Sequence, residues 1–316
     1  MPFAKPFVRP DVANILAMLA AQPGPKLSEI SPAEGRAMMQ GMGQLMERPI
    51  GEMAMADLAI PGPAGSIPAR LYTPENAGSA VVVFYHGGGW VIGDLGVYDS
   101  VCAEIARQLG LRVVSVDYRL APEAVFPAAT EDCIAATRWV AGSPAELGGA
   151  VSGIIPAGDS AGGNLAAAVT RELVGTLPVP ILAQWLIYPA TDMTATEGSM
   201  VEFAEGYLLT KDSMDWFHAH FMKGSEGKLL HPWASPLHAE TLAGLPPALV
   251  FTCGLDPLRD QGRAYAARLI EHGVRTIYRE AAGQIHGCIT LRAGIPSAQD
   301  DLTACITDLK LLLAGA

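Results

Sequence analysis

Ser160 sits between small residues, in Gly158-Asp159-Ser160-Ala161-Gly162. A short apolar run at 153–157 precedes this segment, and a helix-forming run at 163–169 follows it. Strand, sharp turn and helix form the context that lifts a serine hydroxyl off the backbone and leaves the next amide free for an oxyanion. Glycine on both sides lets helix and strand approach closely. The bland alternative is a glycine-rich turn carrying a solvated serine, and the pentapeptide alone does not exclude it.

A serine hydroxyl attacks only when a base takes its proton, so a histidine is needed. The chain has seven. His86 precedes the serine and opens a glycine run. His218 and His220 fall in a polar insertion. His231 and His238 stand beside Pro232 and Pro236, and His272 closes a helical run before Gly273. His286 differs: it follows the last strand-like run, at 275–278, and Gly283 and Gly287 flank it. Serine, then acid, then histidine is the chain order that accompanies such an elbow in α/β-hydrolase sheets, and it points to His286. The acid then falls between them. Asp256 comes directly after the apolar run 248–253, at the carboxyl end of a strand, where sites on open parallel sheets lie. Asp260 is the rival and reads as a residue that stabilises the loop or helix. The motif His86-Gly87-Gly88-Gly89-Trp90 follows another apolar run, 80–85, so bare backbone amides can approach a substrate there. This pattern supplies half of an oxyanion hole, and the Ala161 amide supplies the other half.

Those residues must be carried by a sheet. Strand-like runs at 67–72, 80–85, 112–118, 153–157, 181–188, 248–253 and 275–278 alternate with helical runs at 98–109, 127–141, 160–173, 259–272 and 296–313. The alternation predicts a mostly parallel central sheet covered by helices on both faces. Residues 190–224 break it with a polar loop and a helical segment. The first fifty residues read as helical, with Met38, Met39, Met42, Leu45 and Met46 in one apolar stripe. That stripe is either ordinary core packing or an adaptable wall over a pocket. The insertion and these helices are placed to pack together as a lid.

The chain has 316 residues, half of them hydrophobic, enough for one large α/β domain with a small cap. A net charge of −11 with no Lys/Arg cluster argues against nucleic acid or an anionic membrane as the main partner. No apolar run reaches the ~18–20 residues of a membrane span. Lys5 and Arg9 before 12–21 faintly resemble a secretion signal, but Asp11 and Asn14 interrupt it; an amphipathic helix capped by Asp11 is the expectation. Cys102, Cys133, Cys253, Cys288 and Cys305 are scattered, odd in number and without a CxxC pair, so buried reduced thiols and a cytoplasmic location are expected. No GxGxxG follows a strand, and neither a phosphate loop nor HExxH occurs, so neither cofactor nor metal is expected.

Taken in order, His86–Trp90, Asp117-Tyr118-Arg119-Leu120-Ala121-Pro122-Glu123, Gly158–Asn164, Asp256–Asp260 and His286-Gly287 resemble the hormone-sensitive-lipase-like carboxylesterases of the α/β-hydrolase superfamily. The resemblance spans about 80–290. It implies Ser160 as nucleophile, His286 as base, Asp256 as acid, and the Gly88, Gly89 and Ala161 amides as oxyanion donors. It also implies a structural role for His86 and the 118–123 turn. A catalytic domain of 51–189 and 225–316 is implied, with a cap formed by residues 1–50 and the insertion 190–224. Cys288 stands where similar proteins often carry an aromatic. The implied activity is cofactor-free hydrolysis of small, short-to-medium-chain acyl esters, and homodimers are common among similar proteins. An amidase, lactonase or acyltransferase with the same triad is the alternative. A small-molecule receptor on a hydrolase scaffold would lack a triad member, and here Ser160, Asp256 and His286 are all present.

Overall fold

Alternate residues along one buried strand separate the two halves of the core. A computed structural model of the chain describes residues 6–315, leaving out the Leu45 side chain. Lys5 and that leucine side chain therefore lie outside the described residues. In the strand Gly78–Tyr85, Val81, Val83 and Tyr85 pack into one hydrophobic cluster, and Val82 and Phe84 into the other. This two-fold alternation requires cover on both faces, as a β-rich run without polar positions predicts.

The chain enters through α1 (Pro10–Ala21) and α2 (Pro32–Met46), then forms the hairpin β1 (Ala54–Gly62) and β2 (Gly65–Thr73). There follow β3 (Gly78–Tyr85), α3 (Leu95–Leu109), β4 (Leu111–Val116), α4 (Ala128–Ala141), β5 (Gly153–Asp159), α5 (Ala161–Leu173) and β6 (Gln184–Ile187). The insertion carries α6 (Ser199–Glu202) and α7 (Lys211–Phe221). The chain closes with β7 (Ala248–Leu255), α8 (Arg259–Glu271), β8 (Thr276–Ile285) and α9 (Pro296–Ala314). The sheet order is β1-β2-β4-β3-β5-β6-β7-β8. Only the β1–β2 and β2–β4 pairings are antiparallel; the other five are parallel. Helices α4, α5 and α8 cover one face, α3 and α9 the other.

Local chemistry sets the boundaries. Ser31 and Glu34 form a reciprocal capping box at the start of α2, with Pro32 in the first turn. Asp94 caps α3 through the Val97 amide, and Gly110, at φ 68°, ends that helix. Thr210 caps α7 through the Ser213 amide. Asp11 does not cap its own helix as expected. It lies inside the first turn of α1, and its Oδ2 accepts from the Ser297 amide (2.8 Å) in the first turn of α9. All five cysteines are buried and free. Among the described residues no helix is long and apolar enough to cross a membrane.

Candidate active site

The end of β5 runs into α5 through Ser160 at φ 57°, ψ −118°, a conformation a non-glycine residue holds only when its surroundings enforce it. The enforcement is steric. A Cβ on Gly162 would lie 1.8 Å from the Tyr85 carbonyl oxygen, and one on Gly158 would lie 2.3 Å from the Gly162 oxygen. Glycine at both positions lets α5 start against β3 and β5, with the serine side chain standing off the crossing.

Two further strand ends deliver the partners. His286 directly follows β8, which runs to Ile285 rather than ending near 278, so the histidine hangs from the sheet itself. Its Nε2 lies 2.8 Å from Ser160 Oγ, and its Nδ1 lies 2.7 Å from Asp256 Oδ2. Asp256, one residue past β7, is fully buried, and its Oδ1 accepts from the Leu258 amide at 2.8 Å. With a carboxylate facing Nδ1, the proton sits there, and Nε2 presents its lone pair to the serine hydroxyl. The Tyr188 ring, 4.6 Å from the imidazole, covers it. Asp260 is not brought to the histidine: it accepts from the Ser199 amide and pairs with Arg259 and Arg263.

The glycine run after β3 lies on the serine's other side. Gly88 and Gly89 have φ values of 111° and 58°; a Cβ on Gly88 would meet the Ile92 carbonyl at 2.1 Å. Both glycines line the same cavity as Ser160 and His286. A support that the sequence did not reveal holds this loop. Asp159 Oδ1 accepts from the Gly87 amide (2.7 Å), and Tyr98 donates to its Oδ2 (3.1 Å). Burial pushes the Asp159 carboxyl up to about 6, offset in part by His286 and these hydrogen bonds. His86 is also fully buried. Its ring stacks on Tyr118 at 4.3 Å, and Tyr118 donates to its carbonyl at 2.7 Å. Burial lowers its imidazole to about 4, so it is neutral at neutral pH.

The cavity over Ser160 has a volume of ≈ 350 Å³. Helix α2 contributes Met38, Met39 and Met42 to its wall; the insertion contributes Leu208, Leu209 and Phe217. Met46 instead faces Gly294, so the methionine stripe divides between wall and core. None of the other histidines hydrogen-bonds the serine: His238 pairs with Asp192, His231 accepts from the Trp233 amide, His220 packs on Trp216, His272 lies near Thr241, and His218, which lines a small space beside Ser160, lies 6.4 Å from the Trp90 ring. No cluster of three or more metal-ligating side chains occurs among the described residues.

Comparison with known proteins places this geometry. Residues 82–290 match the model of a family described by its alpha/beta hydrolase fold. The chain is 44% identical over 263 residues to the carboxylic ester hydrolase LipN of Mycobacterium tuberculosis, covering 81% of this chain and 70% of that protein. Esterase LipI of the same organism is 38% identical over 288 residues, 88% and 89% of the two chains. An ester-hydrolase structure from the metagenome of Lake Arreo superposes with a TM-score of 0.91 at 37% identity, covering 98% of this chain and 99% of that one. Sheet order, elbow and sequence thus agree, and the chain belongs to the alpha/beta hydrolase family, among its hormone-sensitive-lipase-like carboxylesterases.

Proposed function

We propose that this serine carboxylesterase works through Ser160, His286 and Asp256, and that it hydrolyses short-to-medium-chain acyl esters. The observation that carries the reading is the continuous relay from Ser160 Oγ through the two imidazole nitrogens to Asp256, at 2.8 and 2.7 Å. Ser160 Oγ attacks the ester carbonyl as His286 Nε2 takes its proton. The carbonyl oxygen, now anionic, is held by the amides of Gly88, Gly89 and Ala161; one such donor contributes about 3–4 kcal/mol in enzymes of this logic. His286 returns the proton to the leaving alcohol. Water, deprotonated by the same nitrogen, then releases the acid and restores the serine. Asp256 holds the imidazole tautomer and stabilises the imidazolium.

Residues 1–50 and 190–224 form the cap in this reading, over a catalytic unit of 51–189 and 225–316. Its support is the wall that Met38, Met39, Met42, Leu208 and Phe217 build over the serine. Five buried free thiols support work in a reducing compartment, the cytoplasm. The test is hydrolysis of p-nitrophenyl acetate, butyrate, octanoate and palmitate by wild type and Ser160→Ala. Loss of the nucleophile should reduce kcat by about 10⁵–10⁶. A folded variant keeping a tenth of the activity would remove Ser160 from the mechanism.

A further inference from the structure

The space at Ser160 is two chambers of very different size. The large one, ≈ 350 Å³, lies on the histidine's side: His286, Gly287, Thr290 and Leu291 share its wall with the α2 methionines. The small one, ≈ 30 Å³, lies on the side of Ala161, walled by Trp90, Ala190, Met214 and Leu258, and His286 is not part of its lining. Ser160, Gly89, Leu209 and Phe217 line both, so the two chambers meet at the serine with the Leu209–Phe217 pair between them. Phe217 is fixed there because its ring fills the place a Cβ on Gly89 would occupy, 2.2 Å away.

Reaction geometry decides what each chamber holds; the argument rests on Ser160 as nucleophile. The ester carbon carries three substituents besides the attacking Oγ. The carbonyl oxygen turns to the Gly88, Gly89 and Ala161 amides. The alkoxide can leave only if His286 Nε2 protonates it, so it must lie on the histidine's side. The acyl chain is then directed the other way. We infer that the small chamber receives the acyl group and the large methionine-walled chamber receives the alcohol, so that the preferred substrates are acetates and comparably short acyl esters of bulky apolar alcohols. This narrows the short-to-medium acyl range proposed above to its short end.

Sizes and surfaces fit that assignment. About 10–15 Å³ of such volume admits one water-sized group, so the small chamber takes about two beyond the carbonyl. The large chamber is at the lower end of the roughly 300–1,000 Å³ that encloses an organic ligand. No charged group lines the small chamber: His218, its one titratable residue, is held below the ordinary imidazole value by burial. Thioether side chains adapt to alcohols of varied shape; of the lining residues with charged side chains, Lys26 and Glu205 are solvent-exposed, Asp212 is half-buried, and the buried Asp159 carboxyl is taken up by the Gly87 amide and Tyr98.

The experiment measures kcat/KM in two series. One varies the acyl group from p-nitrophenyl acetate through butyrate to octanoate. The other keeps acetate and varies the alcohol from ethanol to cyclohexanol to hexanol, whose similar acidities leave size as the variable. A single methylene at a closed wall discriminates by about 10–200-fold, so octanoate should fall at least about 100-fold below acetate. Hexyl and cyclohexyl acetate should exceed ethyl acetate by about tenfold or more. Met214→Ala should raise the butyrate-to-acetate ratio about tenfold and leave the hexyl-to-ethyl ratio unchanged; ratios within one preparation do not depend on its folded fraction. Octanoate matching acetate, or Met214→Ala moving the alcohol ratio instead, would overturn the orientation while Ser160→Ala, inactive on both series, left the nucleophile in place. Turnover surviving in Ser160→Ala would overturn both.

Discussion

Replacing Asp256 by asparagine should disable the histidine through hydrogen-bond geometry, with little change in shape. Asp256 Oδ1 accepts from the Leu258 amide at 2.8 Å, so the amide oxygen of an asparagine must take that position. Its NH₂ group then faces His286 Nδ1, where Oδ2 stood 2.7 Å away. Two donors cannot share that contact, so the imidazole must offer a lone pair at Nδ1 and carry its proton on Nε2. That proton points at Ser160 Oγ, and the base is lost. A wrong tautomer in a serine-histidine-aspartate triad costs about 10⁴ in kcat, or about 5 kcal/mol of transition-state stabilisation. The variant introduces no charge and preserves the buried volume, so its urea midpoint should stay close to wild type. The assay is p-nitrophenyl acetate turnover at saturating substrate, beside urea unfolding followed by circular dichroism. A folded variant within tenfold of wild-type kcat would refute the role given to Asp256, as would a defect confined to KM.

Asp260→Asn is the matched control: it loses part-exposed charge pairs worth about 0–1 kcal/mol, touches no triad atom, and should leave kcat within a few-fold. A larger loss than Asp256→Asn, with folding intact, would mean that the acid was misassigned. Asp159 makes stability depend on pH. Burial raises its carboxyl from 3.8 to about 6, so between those values the folded chain keeps a proton that the unfolded chain releases. Stability from this group therefore falls as pH rises through that window, by about 3 kcal/mol for a shift of roughly two units. Asp159→Asn keeps an acceptor for the Gly87 amide, so its unfolding free energy in urea should gain on wild type by about that amount between pH 4 and pH 7; parallel curves would contradict the cause assigned. Gly162→Ala puts a Cβ 1.8 Å from a backbone oxygen of β3. The elbow must shift, and displacement of a reacting group by about 1 Å costs on the order of 10² in rate; wild-type kcat and melting temperature in this variant would contradict the steric account.

The candidates Ser160 and Asp256 were legible because each follows a strand whose sequence announces itself, and His286 because of its place in the chain order and the glycines around it. The runs before Ser160 and Asp256 are continuous and apolar because those strands are buried on both faces. The last strand was read too short because Arg279, Glu280 and Gln284 break its apolar character; paired against β7, it extends to Ile285 all the same. In β1 most residues are exposed, so no alternation marks it apart from its hairpin partner. The strand expected from 181 narrows to Gln184–Ile187, with Ile181 left in an isolated bridge. The supports of the oxyanion loop were not legible at all. Asp159 and Gly87 lie 72 positions apart, and nothing local to either marks the pairing. The partition between the chambers is likewise tertiary: Gly89 and Phe217 come from separate segments, and their contact sets where a substrate can lie.

The tie between the two ends of the chain bears on the order in which the enzyme becomes whole. Arg9 bonds the Ala282 carbonyl and Asp301, its amide reaches the Gly283 carbonyl, and Asp11 caps the first turn of α9. On the ribosome, residues 9 and 11 are made 273 to 292 positions ahead of these side-chain partners. At about 5–20 residues per second the wait is on the order of 15–60 s. Throughout that interval α1 has no seat, and β8, which carries His286, has yet to join the sheet, whereas α2 already has its partners in Val91, Asp94, Val97 and Ala121. The seat of α1 and His286, the base in the proposed mechanism, therefore arrive together, on one strand and the turn after it. On the proposed mechanism, a nascent chain carries Ser160 without a base beside it and cleaves no ester until residues 286–291 have closed the chamber.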